Sequence, residues 1–293
     1  MARILVTGDT GFIGRRLCQR LLDEGHTPLG ISIDNVDVPW DHRVMSMADF
    51  HEVAALVREM VPEAVVHLAF IIRGDNEENV GASEVNLQGT RNLIKALEGN
   101  RAKFVFASTC AVYGDSVEDC ISEGPPRPSS NYSRDKLATE QIIHDEVRCN
   151  GGRATILRFG NVYGPGDSRS VIAKILLAAR EKRPFVVFSG QRIRDYVHVD
   201  DVTAAILAAV ELASPGYCIL NVGSGCGIEV RELVSLARSI TGRDIPLREE
   251  GGPEHYVERC VVSITETERE LGWRPSISLE KGIRSIWEGS VDG

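Results

Sequence analysis

The seven cysteines contain no C-x-x-C pair, and the seven histidines never fall at H-x-x-x-H spacing. Structural zinc and a metal-activated water both lose their usual ligand sets, and an odd thiol count without paired spacing speaks against a disulfide framework. No apolar run is long enough to cross a bilayer. Strand-like residues begin at Arg3, which leaves no room for a targeting leader, so the expectation is a soluble, cytoplasmic protein with no membrane partner. Positive charge is also short. With 33 Lys and Arg against 42 Asp and Glu, the formal net charge is −9 and the cations are scattered, which excludes nucleic acid as a partner. Internal repeats and low-complexity tracts are absent.

What is present is a chain of 293 residues, 43% hydrophobic, enough for one large core or a core with a smaller satellite. Apolar runs at 3–7, 28–33, 64–69, 103–108 and 154–159 read as buried strands. Helical stripes lie between them, Ile13, Leu17, Leu21 and Leu22 in one and Val53, Leu56, Val57 and Met60 in another, and further helices fit 81–98 and 132–149. This alternation predicts an α/β fold, a doubly wound, Rossmann-like parallel sheet. After about residue 165 the rhythm loosens, with helices near 170–182, 200–213, 229–241 and 278–289 and short strands near 185–188 and 218–222. The expected organisation is a dinucleotide-binding domain over 1–165 and a smaller C-terminal α/β substrate lobe over 166–293, with the chain crossing back near 190–225.

The stretch "ILVTGDTGFIGRRL" places Gly8, Gly11 and Gly14 between a strand and a helix. Gly8 suits a tight turn, Gly11 lets backbone approach phosphate oxygens, and Gly14 lets helix and strand pack closely. The helix N-terminus adds free N–H donors and a favourable dipole, so the motif points to a dinucleotide's pyrophosphate. Farther on, Tyr132 and Lys136 stand four apart and share one helix face. A tyrosine loses its proton near pH ~10, and a neighbouring ammonium lowers that value toward use as a base.

The spacing G-x-x-G-x-x-G continues into "HLAF" (His67 to Phe70), "VNLQGTRNLI" (Val85 to Ile94), "STCAVYG" (Ser108 to Gly114), "RFGNVYGPG" (Arg158 to Gly166), "RDYVHVDDV" (Arg194 to Val202), "NVGSG" (Asn221 to Gly225) and "ELGWRP" (Glu270 to Pro275). With Tyr132-x-x-x-Lys136 among them, these ordered motifs span nearly the whole chain, which resembles the extended short-chain dehydrogenase/reductase family of NAD-dependent epimerases and dehydratases. The resemblance implies Thr109, Tyr132 and Lys136 as catalytic residues, with Tyr132 the base and Thr109 orienting the substrate hydroxyl. It implies cofactor contacts from the three glycines, Phe12, Ile13, Met47, Leu68, Ala69, Asn86, Tyr132, Lys136, Phe159 and Val162.

Asp34 would close the second strand against a ribose diol and favour NAD, while Arg15 and Arg16 leave NADP open. In "MSMAD", where relatives usually carry an Asp beside adenine, the position reads Ser46. For a nucleotide-sugar substrate the resemblance implies Ser108, Thr109, Asn161, Val171 and Arg194, with Arg248 or Arg259 standing in for a second arginine where the chain instead reads Glu249 and Glu250. A salt bridge to Asp195 or Asp200 is the competing role for Arg194, and Arg158 is read as packing or pairing. Arg73 is open as a substrate contact. Dehydratases of this kind carry an acidic pair after the threonine; here Cys110 and Ala111 stand there, which leaves a 4-epimerase working through a 4-keto sugar, a 4-ketoreductase or sugar dehydrogenase, and, as a third reading, a non-catalytic dinucleotide sensor. The family further implies a homodimer through helices 81–98 and 132–149.

Overall fold

A computed structural model describes residues 1–72, 80–115, 121, 124–188, 192–213, 216–251 and 257–289. Its first half alternates β1 (Arg3–Thr7), α1 (Phe12–Asp23), β2 (Thr27–Ser32), β3 (Asp41–Val44), α2 (Phe50–Met60), β4 (Ala64–His67), α3 (Val80–Ala96), β5 (Lys103–Thr109), α4 (Asn131–Asn150) and β6 (Arg153–Phe159). Then come β7 (Asn161–Tyr163), α5 (Val171–Glu181), β8 (Phe185–Phe188), β9 (Ile193–His198), α6 (Val199–Glu211), β10 (Tyr217–Val222), β11 (Gly227–Glu229), α7 (Val230–Thr241), β12 (Leu247–Glu250), β13 (Arg259–Cys260), α8 (Thr265–Leu271) and α9 (Leu279–Gly289).

Seven strands form one parallel sheet in the order β10-β6-β5-β4-β1-β2-β3. Strand order reverses between β1 and β4, and the crevice beyond their carboxyl ends is where such sheets receive ligands. Alternation along β1 separates two cores. Ile4 and Val6 join Leu17, Leu21, Val202 and Ile206 on the α1–α6 face, while Leu5 joins Leu29, Val57, Phe104 and Phe106 on the face covered by α2, α3 and α4. Helix starts are locally specified: Asp49 accepts from the His51 and Glu52 amides before α2, and Ser130 closes a capping box with Ser133 before α4.

A third core of Tyr163, Ile172, Leu176, Leu233, Val234 and Ile283 lies among α5, α7 and α9. Beside it, β9 pairs with β7, β11 and β13, and β8 pairs with β12. Sequence reading missed the charged or short strands, "DHRV" of β3 at the exposed sheet edge, "LREE" of β12 and the two- or three-residue β7, β11 and β13, and also the six-residue β9, whose "IRDYVH" mixes charged with apolar residues. Asp195 of β9 is fully buried and accepts the Ser224 amide and hydroxyl (both 2.6 Å), the Gly225 amide (3.1 Å) and the Val262 amide (3.4 Å). Burial raises its carboxyl while these bonds oppose the rise. Among the described residues no helix is long and apolar enough to cross a membrane, and no cluster of metal-ligating side chains occurs.

Candidate active site

The glycine turn follows β1. Gly8 adopts φ +73°, and a Cβ there would stand 2.8 Å from the Ala69 amide nitrogen. At Gly14 a Cβ would stand 2.1 Å from the Gly8 carbonyl oxygen, so this glycine is what lets α1 lie against its own entry turn. Gly11 differs: a Cβ would meet only the Gly8 oxygen, at 3.2 Å, and the residue faces the crevice. It N-caps α1 without a side chain, and no acid stands in the first turn. The leading N–H groups of α1 therefore lack a side-chain acceptor, and the cradle fits a pyrophosphate.

Behind the turn, Asp9 is fully buried, its Oδ2 lying 2.8 Å from both Trp40 Nε1 and His42 Nδ1. Gly30 makes that possible, since a Cβ there would sit 2.0 Å from Asp9 Oδ2. Sequence reading passed over Asp9, because an aspartate between glycines reads as ordinary turn chemistry.

A cavity of about 720 Å³ opens beyond the turn. Of the residues expected to bind cofactor or substrate, the structure brings Gly8, Gly11, Phe12, Ile13, Gly14, Leu68, Ser108, Thr109, Tyr132, Lys136, Phe159, Asn161, Val162 and Val171 into its wall. Arg15, named above as a possible phosphate partner, stands there too, as do Thr10, Phe70, Asp167, Arg169 and Tyr196, to which sequence reading gave no role.

Thr109 ends β5 and its hydroxyl accepts the Ala111 amide at 3.2 Å, which starts a 3₁₀ turn over Cys110–Tyr113. Tyr132 and Lys136 come from the first turns of α4, and the Thr109 hydroxyl is within hydrogen-bonding reach of the Tyr132 phenol. Burial pushes that phenol up to about 12, against the opposing Thr109 bond. Lys136 is 3% exposed, donates Nζ to the Ala107 carbonyl at 2.6 Å and lies 3.8 Å over the Phe70 ring. Burial brings its ammonium down to about 7, with Glu140 pulling the other way. In the protein by itself, desolvation favours the neutral form of both groups, so the lowering of the phenol expected from the sequence calls for the positive nicotinamide ring as well as the ammonium. Beneath them His67 bridges Thr7 (2.7 Å) and Thr90 (3.0 Å), and burial, reinforced by the Lys136 charge, keeps it neutral, with its value lowered to about 3.

Other expected contacts are placed elsewhere. Asp34 is exposed and accepts the hydroxyl of Thr10, a wall residue, at 2.9 Å. Met47 packs under Gly89 of α3, the Ala69 backbone packs against Gly8, and Asn86 holds the amide and carbonyl of Ile71 at 2.8 and 3.1 Å, all outside the wall. Arg194 lines no part of the cavity, because its guanidinium donates to the carbonyls of Ile193, Val257 and Glu258. Neither of its suggested salt bridges forms: Asp200 pairs with Arg16, which removes Arg16 from the cofactor side. Arg248 pairs with Glu250 on exposed β12. Arg259 is absent from the wall, and Arg73 lies outside the described residues. Ser108 reaches the wall, yet its hydroxyl is given to buried Glu140, which also holds Arg158 at 3.0 and 2.6 Å. Cys110 is buried beside Cys260, and that thiol contact together with burial raises it.

Comparison with known proteins identifies the family and the fold. A UDP-glucose 4-epimerase of Rhizobium leguminosarum bv. trifolii is 29% identical over 97% of this chain and 96% of its own. The crystal structure of the Thermotoga maritima UDP-glucose 4-epimerase with UDP-glucose superimposes with a TM-score of 0.92 at 29% identity, covering 99% of both chains. The Thermus thermophilus UDP-glucose 4-epimerase complex with NAD gives a TM-score of 0.89 at 31% identity, over 98% of this chain and 99% of that one. Residues 4–223 match the NAD dependent epimerase/dehydratase family, and the chain belongs to it.

Proposed function

We propose that this chain is an NAD-dependent nucleotide-sugar 4-epimerase, acting on a UDP-hexose through a transient 4-keto sugar. The observation that carries the proposal is the meeting of Thr109, Tyr132 and Lys136 in one cavity wall with the uncapped glycine turn. When bound, NAD supplies the oxidised ring that takes hydride from the sugar carbon and returns it. The protein's own work is proton handling and placement. Tyr132 takes the proton of the 4-hydroxyl and later gives one back, and Thr109 holds the hydroxyl in line with the phenol.

Lys136 can favour the Tyr132 phenolate only in its ammonium form, which burial disfavours. Glu140 favours that form. Phe70, edge-on to Tyr132 with centroids 6.0 Å apart, covers the pair from water. Epimerisation then needs only room for the ketose to present its other face, and no acid beyond Tyr132. In the same proposal residues 1–165 carry the dinucleotide and 166–293 most of the sugar nucleotide, the enzyme is cytoplasmic, and α3 and α4 form a homodimer whose mass light scattering would give.

The test is incubation of the purified chain with UDP-galactose without added cofactor, followed by product analysis. Conversion to an equilibrium mixture with UDP-glucose is expected. Tyr132→Phe should lower turnover about 10²- to 10⁴-fold while leaving bound NAD in place. Net consumption of reduced nicotinamide without isomerisation would overturn the reading.

A further inference from the structure

A nucleotide-sugar diphosphate brings negative charge into a cavity whose wall includes neither Arg194 nor Arg248. Among the described residues, the basic side chains that do stand in the wall are Arg15, Lys136 and Arg169. Arg15 belongs to the first turn of α1 and donates Nε to the Thr10 carbonyl at 2.8 Å, on the side of the glycine turn. Lys136 is bound to Ala107 beneath Tyr132.

Of these three, Arg169 is placed just before α5 and shares the wall with Asn161 and Val171. Among the described residues its guanidinium has no hydrogen-bond or ion-pair partner. The nearest acid in sequence does not neutralise it. Asp167 spends Oδ1 on the backbone amides of Arg169 (2.8 Å) and Ser170 (3.1 Å), and its Oδ2 is sealed from solvent. The carboxylate thus folds the loop and leaves the guanidinium uncommitted.

We propose that Arg169 is a substrate-binding cation, pairing with the diphosphate oxygens of the nucleotide sugar. This rests on the function proposed above. A guanidinium is suited to the task, since it can meet two such oxygens at once without losing its charge.

Kinetics of the NAD-loaded enzyme and its Arg169→Gln and Arg169→Lys variants, with UDP-glucose and UDP-glucuronate, test the assignment. Arg169→Gln should raise KM about 10- to 100-fold for both substrates with kcat within about threefold of wild type, and Arg169→Lys should recover part of the loss. UDP alone, titrated by calorimetry, should weaken by the same factor. An effect confined to UDP-glucuronate would assign Arg169 to a sugar carboxylate and overturn the diphosphate pairing, as would an unchanged KM for both. If the wild-type enzyme isomerises no UDP-sugar, the proposed function fails, whereas the UDP titration still judges Arg169 by itself.

Discussion

Replacing Lys136 by Met is expected to stabilise the nucleotide-free chain at neutral pH, although it removes a residue proposed for catalysis. Lys136 is 3% exposed, and burial brings it from 10.5 to about 7. Unfolding returns the amine to water. Between those two values the unfolded chain therefore binds more protons than the folded one, and stability rises with pH across that window. Below about 7 the penalty is fully present, and above about 10.5 it has gone. The whole displacement corresponds to ~5 kcal/mol, of which about 1.6 kcal/mol is recovered between about pH 7 and pH 8.5. Wild type should accordingly melt roughly 3–6 °C higher at the upper pH from this group alone. Lys136→Met, unbranched and uncharged, should lack that increment and melt above wild type at pH 7. Its lost bond to the Ala107 carbonyl costs about 1 kcal/mol, less than the charge penalty removed. Calorimetric scans of both stripped chains at the two pH values decide the matter. Parallel pH slopes in the two would refute the claim that desolvation governs this amine.

Two further substitutions probe the turn and the layer under the site. Gly14→Ala puts a Cβ 2.1 Å from the Gly8 oxygen, so α1 must move off its entry turn; NAD released on denaturing the purified protein should fall at least about tenfold, and full retention would count against the packing role of Gly14. Arg158→Met leaves the Glu140 carboxylate, in a residue only 2% exposed, with the Ser108 hydroxyl as its remaining side-chain donor. Breaking such a pair costs about 3–5 kcal/mol, a drop on the order of 10 °C in melting, and adding Glu140→Gln should restore part of it. A melting temperature unchanged by Arg158→Met would show the pair to be idle.

The parallel strands were legible because each is a continuous apolar run, and Tyr132 with Lys136 because a four-residue step keeps two side chains on one face. Arg194 was not legible. Its direction is fixed by carbonyls at 257 and 258, about sixty residues away, and a motif says nothing of so distant a partner. Asp9 shows the same limit: its donors arrive from Trp40 and His42, and its space from a missing side chain at Gly30. Arg169 escaped because no spacing marks it; only its place in the wall and the engagement of Asp167 with the backbone single it out. The lowered charge on Lys136 depends on how completely Phe70 and Phe106 cover it, a property of the assembled core.

Asp195 ties three segments of the chain that are far apart in sequence to one buried carboxylate. Its donors come from positions 29 to 67 residues later, while its own carbonyl holds the Asn161 amide at 3.2 Å in the cavity wall. Losing those donors would strand an anion in a dry interior, at a cost of about 3–5 kcal/mol. A new sugar preference on this frame is therefore expected to arise by editing individual wall residues, since shifting the strand that carries Asp195 would unseat Asn161 and the buried carboxylate together.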